Sequence, residues 1–349
     1  GVQRRLGDGA GTTRSDSATV GVAYEADLWR RLANAHDAAR WEADASAEDL
    51  ASTALSLSGT AATLYWRAAY LQDRLRLSDD SLAYAGRTLR LAQGKQAAGA
   101  ATTLDVLEAE QSLASQQATH ASLLQQQIEN RNALAVLLDG DALDVAPPAT
   151  LADYALPDVL PGLPAQLLAN RPDLRAAELR VRGALATVDA TRASFYPTLK
   201  LNASVGGGST ALRDLLQNPV AALAGAVALP VLQWDTHTLD LRVSQADFDL
   251  TVVSFRQALY AALGDVDNAL AASTHYAQQA EALTRSMRAA RQVDALYAVR
   301  YRNGAASLQD WLDAQEKRRS AEASWLENRY NQLANQATLY LALGGSVTQ

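Results

Sequence analysis

Residues 99–110 read GAATTLDVLEAE, and residues 304–315 read GAASLQDWLDAQ. Sliding the first stretch onto the second by 205 positions matches Gly99 with Gly304, Ala100 with Ala305, Ala101 with Ala306, Asp105 with Asp310, Leu107 with Leu312 and Ala109 with Ala314. Gly99 and Gly304 suit the left-handed position just past a helix end, where a β-carbon is penalised. Thr102 and Ser307 stand where a residue caps the next helix, and Asp105 and Asp310, three residues on, take the place of the capping-box acid. Each stretch therefore predicts a tight corner between two antiparallel helices, and the chain makes that corner twice.

The sequence on either side supports long helices. All nine prolines fall between Pro147 and Pro230, and the flanking stretches are rich in Ala, Leu, Gln, Glu and Arg, the better helix formers. Nothing breaks the pattern over 30–98 or 235–303. Each would extend roughly 100 Å at about 1.5 Å per residue, too long for a compact domain. After the first corner, Leu107, Ala114, Ala121, Ile128 and Ala135 recur at intervals of seven and predict a coiled-coil seam of small residues. The prolines of residues 144–175 read as an extended connector. RPDLRAAELRVRGALATVDATRASF, from Arg171, then starts a new helix with Pro172 in the first turn and Asp173 favoured by the dipole.

Three short segments alternate with period two, the mark of half-buried strands. In the first, Val20, Val22, Tyr24, Ala26 and Leu28 share a face; in the second, Leu199, Leu201, Ala203 and Val205 lie opposite Lys200, Asn202 and Ser204; in the third, within 222–232, Leu223, Val227, Leu229 and Val231 face small residues. Aromatics gather where strands meet helices, at Trp29, Phe195, Tyr196 and Trp234. Two readings stand for them: core packing at a joint, or the aromatic girdle of a membrane β-barrel.

Composition excludes several functions. With 38 acidic against 31 basic residues the formal charge is −7, and no Lys/Arg stripe could follow a phosphate backbone, so nucleic acid is not an expected partner. Without cysteine there is no disulfide, thiol catalysis or cysteinyl metal site, and His36, His120, His237 and His275 are scattered without metal-ligand spacing. No nucleophile–base pair or phosphate loop is evident; the glycines at 206–208 end a strand before a loop instead of opening a helix. Catalytic, cofactor and metal sites are all expected to be absent. No segment reaches the ~18–20 apolar residues of a spanning helix, which leaves a membrane strand open. The start, GVQRRLGDGAGTTRSDSATV, carries no signal-like pattern and reads as the middle of a domain.

LLANRPDLRAAELRVRGALATVDATRASFYPTLKLNASVGGG (167–208), YEADLWRRL (24–32), the two corners and LALGG (341–345) together resemble the outer-membrane factor family, the TolC-like exit ducts of Gram-negative efflux pumps. The resemblance runs from about residue 19 to 345. It implies a mainly α fold with a small β part: long antiparallel helices forming a trimeric α-barrel through the periplasm, continued by a transmembrane β-barrel shared between protomers. It implies a homotrimer in outer-membrane lipid, partnered by a periplasmic adaptor and an inner-membrane pump of resistance-nodulation-division or ABC type. The corners, with Gly99, Ala100, Thr102, Asp105, Gly304, Ala305 and Ser307, would meet the adaptor, in a ring of near-equivalent hairpins. Asp310 and Asp313 match the family's acidic rings at the periplasmic constriction, against the alternatives of capping for Asp310 and a solvated face for Asp313. Crowded carboxylates there would raise one another's pKa.

The family's usual signal peptide, leading helices and first strand have no counterpart before residue 19, which suggests an N-terminally incomplete chain. A basic residue that some relatives carry two positions after the corner glycine is Ala306 here. The expected organisation is a first repeat over 1–138, a proline-rich connector over 139–170 and a second repeat over 171–349. The competing class is a soluble coiled-coil or spectrin-like scaffold, which accounts for the helices and fails on the strands.

Overall fold

The computed structural model describes residues 16–140, 150–151, 154, 170–209, 219–228 and 234–345. In chain order the elements are β1 (Asp16–Ala26), α1 (Arg31–Ala97), α2 (Thr103–Leu137), α3 (Pro172–Ala193), β2 (Thr198–Ser209), β3 (Pro219–Ala228), α4 (Trp234–Arg302) and α5 (Leu308–Ala342). α1 has 67 residues and α4 has 69, while α2 and α5 have 35 each. The chain divides into two compact units, Gly1–Ala47 with Arg175–Ala258 and Glu48–Leu174 with Leu259–Gln349.

The first unit carries an antiparallel sheet in the order β1-β2-β3. Its register places Val20 opposite Val205, Val22 opposite Ala203 and Tyr24 opposite Leu201, and sets Leu199 against Val227 and Ala203 against Leu223. Because side chains alternate along a strand, one face is apolar from Ala18 to Ala26 and ends on Asp16 opposite Ser209; the other carries Glu25 opposite Lys200 together with Asn202 and Ser204. Val20, Val22, Leu223 and Val227 are all exposed. An apolar face backed by a more polar one is consistent with a slice of membrane barrel. The end of the third expected strand, Leu229 and Val231, lies outside the described residues.

At the joint below the sheet, Trp29 stacks on Tyr196 with ring centroids 4.8 Å apart and donates from Nε1 to the Pro197 carbonyl at 3.0 Å. Phe195 packs against His237 at 4.9 Å. Asp27 caps α1 by accepting from the amides of Leu32 and Ala33, at 3.0 and 2.7 Å. α3 lies close on α1, where a β-carbon on Gly183 would stand 3.5 Å from the Ala38 carbonyl.

In the second unit the heptad seam is displaced from its expected position. The buried residues of α2 are Val106, Ala109, Gln116, Leu123, Asn130 and Leu134. Ala109, Gln116, Leu123 and Asn130 recur every seven residues, two positions along from the predicted stripe, and Leu107 and Ile128 of that stripe are 56% and 45% exposed. The stripe buried within the protomer hides from a hydrophobicity reading because two of its members, Gln116 and Asn130, are polar. Asn130 is accommodated by donating its amide to the Leu64 carbonyl at 3.0 Å.

The proline-rich connector is anchored as it passes. Leu151, fully buried, packs with Ala69 and Leu333; its amide donates to Asp73 at 2.9 Å and its carbonyl accepts from Arg329 at 3.3 Å. Arg171 pairs with Asp173 at 2.7 Å and with Asp265 at 3.4 Å, and reaches the Ala342 carbonyl at the end of α5. Gly344, with φ +79°, backs onto Asn170 so closely that a β-carbon would lie 2.6 Å from its carbonyl. These contacts give RPD and LALGG, quoted above as recognition motifs, one shared structural task.

Candidate functional site

The two corners share the same turn and capping bonds. α1 ends as the amides of Gly99 and Ala100 fold back to the carbonyls of Gln96 and Lys95, at 2.9 and 2.7 Å; α4 ends as Gly304 and Ala305 fold back to Tyr301 and Arg300, at 3.1 and 2.8 Å. This paired return is the Schellman motif, which needs a left-handed residue at its turn. The glycines supply it, with φ +72° at Gly99 and +74° at Gly304. A capping box follows each time. The Asp105 amide donates to Thr102 Oγ1 at 3.3 Å while the Thr102 amide donates to Asp105 Oδ2 at 2.7 Å. Asp310 and Ser307 repeat the exchange at 3.1 and 3.2 Å.

Both capping acids are held below the ordinary aspartate value. For Asp105 the backbone amide and then the hydroxyl of Thr102 stabilise the charged form, with help from Lys95. For Asp310 it is the hydroxyl and then the amide of Ser307, with help from Arg300. Within one protomer this is opposite to the rise expected from crowded carboxylates, because the cap bonds the charged form directly. Asp313 does not cap. It is exposed and accepts from Gln309 Nε2 at 2.9 Å, one turn beyond Asp310 on the same side of α5.

The corners' outer surface is open. Gly99, Ala100, Gly304 and Ala305 are exposed, and a β-carbon on either glycine would meet nothing within 4 Å. Beneath them Ala92, Val106, Ala109, Ala298, Tyr301, Leu308, Trp311 and Leu312 form a buried cluster drawing on all four long helices. Small residues near the tip let the helices close on one another, and Trp311 fills the centre.

Sequence reading missed what locks this end together. Asp294, 5% exposed, pairs with Arg318 at 2.8 Å and accepts from Trp311 Nε1 at 3.0 Å and from the Tyr84 hydroxyl at 3.2 Å. Arg318 also pairs with the buried Glu322 at 3.0 Å, and Arg291 meets the other Glu322 oxygen at 2.6 Å. The only local signal for this network is the four-residue spacing of Arg318 and Glu322. Of the expected girdle residues, Trp29 stacks on Tyr196 while Phe195 packs on His237; Trp234 opens α4, and its side chain lies outside the described residues.

Among the described residues, no helix is long and apolar enough to cross a membrane, and no group of His, Cys, Asp and Glu is arranged to hold a metal. The sequence model described as "Outer membrane efflux protein" matches residues 2–140 and 163–345. The chain belongs to the outer membrane efflux protein family. It is 30% identical over 336 residues to the pyoverdine export outer membrane protein OpmQ of Pseudomonas putida, covering 96% of this chain and 71% of that one. Its fold follows the MtrE outer membrane channel of Neisseria gonorrhoeae in the open state, with a TM-score of 0.79 at 28% identity over 96% of this chain and 80% of that one. It also follows CusC, at 0.88 and 23% identity, over 99% and 81%. As a member of this family the protein is an outer-membrane exit duct of an efflux system. The likeness points to a channel and away from an enzyme, and with the sheet it sets aside the soluble scaffold.

Proposed function

We propose that the two corners form the periplasmic tip of a homotrimeric duct, that a periplasmic adaptor docks on them, and that Asp310 and Asp313 line the constriction between them. The repeats over 1–138 and 171–349 each supply one hairpin to that tip. In this reading the channel is passive: an inner-membrane pump, of resistance-nodulation-division or ABC type, supplies the energy. The aromatic joint of Trp29, Tyr196 and Phe195 sits at the membrane boundary, with the apolar sheet face in lipid. The sheet supports assembly, because its three strands leave β1 and β3 each with an open edge, and open edges are not tolerated in hydrocarbon.

The observation that carries the docking assignment is the identity of the two corners, since a structural turn needs no second copy with the same bonds and the same open outer surface. Alanines test it better than glycines do, because a tryptophan at φ +72° or +74° would strain the corner itself. Ala100→Trp with Ala305→Trp adds bulk to the exposed surface and leaves the turn intact. Export and adaptor crosslinking should fall together while the channel still inserts and runs as a trimer in detergent. Unchanged crosslinking would remove the corners from the interface.

A further inference from the structure

In the second unit α1 and α5 are the central helices, joined where Gln315 donates to Thr88 at 3.3 Å. α4 bonds to both, through Asp294 to Tyr84 of α1 and through Arg291 to Glu322 of α5. α2 also packs on both, with Asn130 donating to the Leu64 carbonyl of α1 and its length lying along α5. Two helices that each touch both members of a packed pair lie on opposite sides of it, so α2 and α4 form the flanks. Each flank turns an apolar face outward. Leu107 and Ala114 stand two residues before the buried Ala109 and Gln116, roughly 200° around the helix at about 3.6 residues per turn, and both are exposed, as is Ala121. On α4 the same geometry sets Leu296 midway between the buried Asp294 and Ala298; it is 64% exposed, and Ala289 and Ala282 continue the exposed stripe at intervals of seven.

We propose that the outward face of α2 packs antiparallel on the outward face of α4 in a second copy of this chain, with Leu107 beside Leu296 and Ala114 beside Ala289. This pairing rests on the trimeric reading above and names the surfaces that build it. The two faces match in height. Leu107, Ala114 and Ala121 stand 8, 15 and 22 residues after Gly99, and Leu296, Ala289 and Ala282 stand 8, 15 and 22 residues before Gly304. α2 leaves its corner and α4 enters its own, so equal counts bring like residues together when copies stand side by side. The faces are opposite in charge. From Thr103 to Asn130, α2 carries Asp105, Glu108, Glu110 and Glu129 with neither Lys nor Arg; from Ala282 to Arg302, α4 carries five arginines and one acid, Asp294, which is paired with Arg318. The exposed Glu110 borders the α2 face three residues from Leu107, and the exposed Arg285 and Arg300 border the α4 face four residues from Ala289 and Leu296. Like faces brought together would oppose acid to acid, whereas α2 on α4 opposes unlike charges and makes a head-to-tail contact, the kind that closes into a ring. The alanines let the two helices approach closely, and the leucines bury one another near the tip.

The chain has no cysteine, so introduced thiols report without background. Ala114→Cys combined with Ala289→Cys in the full-length channel, treated in detergent with a short bifunctional thiol reagent, should shift from the monomer band to covalent dimer and trimer on denaturing gels. Either substitution alone should stay at the monomer band, and Ala114→Cys with Ala282→Cys, two turns out of register, should crosslink much less. Light scattering on the same samples gives the assembly state independently. A monomer overturns the trimer and this pairing together; a trimer in which the matched pair does not crosslink, or crosslinks no better than the mismatched one, overturns the pairing alone. Maleimide labelling is the second readout. The Ala114→Cys thiol should be protected in the trimer by itself; rapid labelling there, slowed only when the adaptor is added, would give the α2 face to the adaptor and overturn the pairing.

Discussion

Lys95 places its ammonium 2.5 Å from the Tyr301 carbonyl and 4.1 Å from the centre of the Tyr301 ring. Lys95 is in the last turn of α1 and Tyr301 in the last turn of α4, so one side chain ties the two corners together. The same carbonyl accepts the corner amide of Gly304, which puts the tie on the bond that shapes the second corner. Lys95→Met keeps the aliphatic stem and removes the charge. The loss should be about 1–2 kcal/mol, from one charge-assisted bond and one cation–π contact. A lower thermal midpoint and faster proteolysis at both corners would register it.

Buried and exposed ion pairs in this protein should differ by an order of magnitude in their worth. Asp294→Ala leaves Arg318 and Trp311 without their buried acceptor and should destabilise by about 3–5 kcal/mol. Arg182 and Glu178 form an even shorter pair at 2.5 Å, but their side chains are 53% and 51% exposed, and Arg182→Gln should cost about 0.5 kcal/mol or less. Denaturant unfolding of the two variants side by side decides this.

The sheet gives a prediction with a sign for each face. Val22 of β1 lies on the apolar face, and Asn202, on the neighbouring strand one residue from Val22's partner Ala203, lies on the opposite one. If the apolar face meets lipid, Val22→Arg should cost about 2–4 kcal/mol near the middle of the bilayer, whereas Asn202→Arg should be nearly neutral for stability. Insertion and heat-resistance of the assembled channel in vesicles measure both; equal effects would mean that the faces are reversed or that neither meets lipid.

The capping boxes predict a dependence on acid. Asp105 and Asp310 have folded pKa values below the ordinary aspartate value of about 3.9. Their stabilisation is therefore fully present above about pH 4 and is lost as pH falls through the lower folded values. Amide exchange in the first turns of α2 and α5 should accelerate over that window and not above it. Thr102→Ala and Ser307→Ala should abolish the effect and weaken each helix start by about 1 kcal/mol at neutral pH.

These corners were legible in the sequence because everything that makes them is local: a glycine, a hydroxyl and an acid within a few residues. The strand faces were legible for the same reason, since parity alone assigns Val20, Val22 and Tyr24 to one side. The seam of α2 was not. Gln116 and Asn130 are polar yet buried, and only the approach of the Leu64 carbonyl shows why Asn130 can be. Lys95 and Tyr301 are 206 positions apart, and the Asp294 network joins α1, α4 and α5; pairings at that distance leave no periodic trace.

Asp310 and Asp313 give the sharpest test of the proposed gate. They lie three residues apart at the start of α5, both exposed, with Asp310 committed to its cap and Asp313 accepting from Gln309. In a trimer whose α5 helices converge, copies of the pair would ring the opening and attract cations. Asp310 is bound into its cap by Ser307, so Asp313 is the carboxylate better placed to meet ions in the opening. Replacing both by Asn keeps their size and removes the ring of charge. Single-channel recordings of the full-length Asp310→Asn/Asp313→Asn channel should show reduced cation selectivity and no block by multivalent cations. Asp313→Asn alone should account for most of the change in conductance, because Asp310→Asn alone also loosens a helix start. Asp105→Asn is the control: it breaks the same capping box in the other corner, where the residue three positions on is Glu108. Equal loss of selectivity in Asp105→Asn would mean that the repeats have been assigned to the wrong sides of the opening.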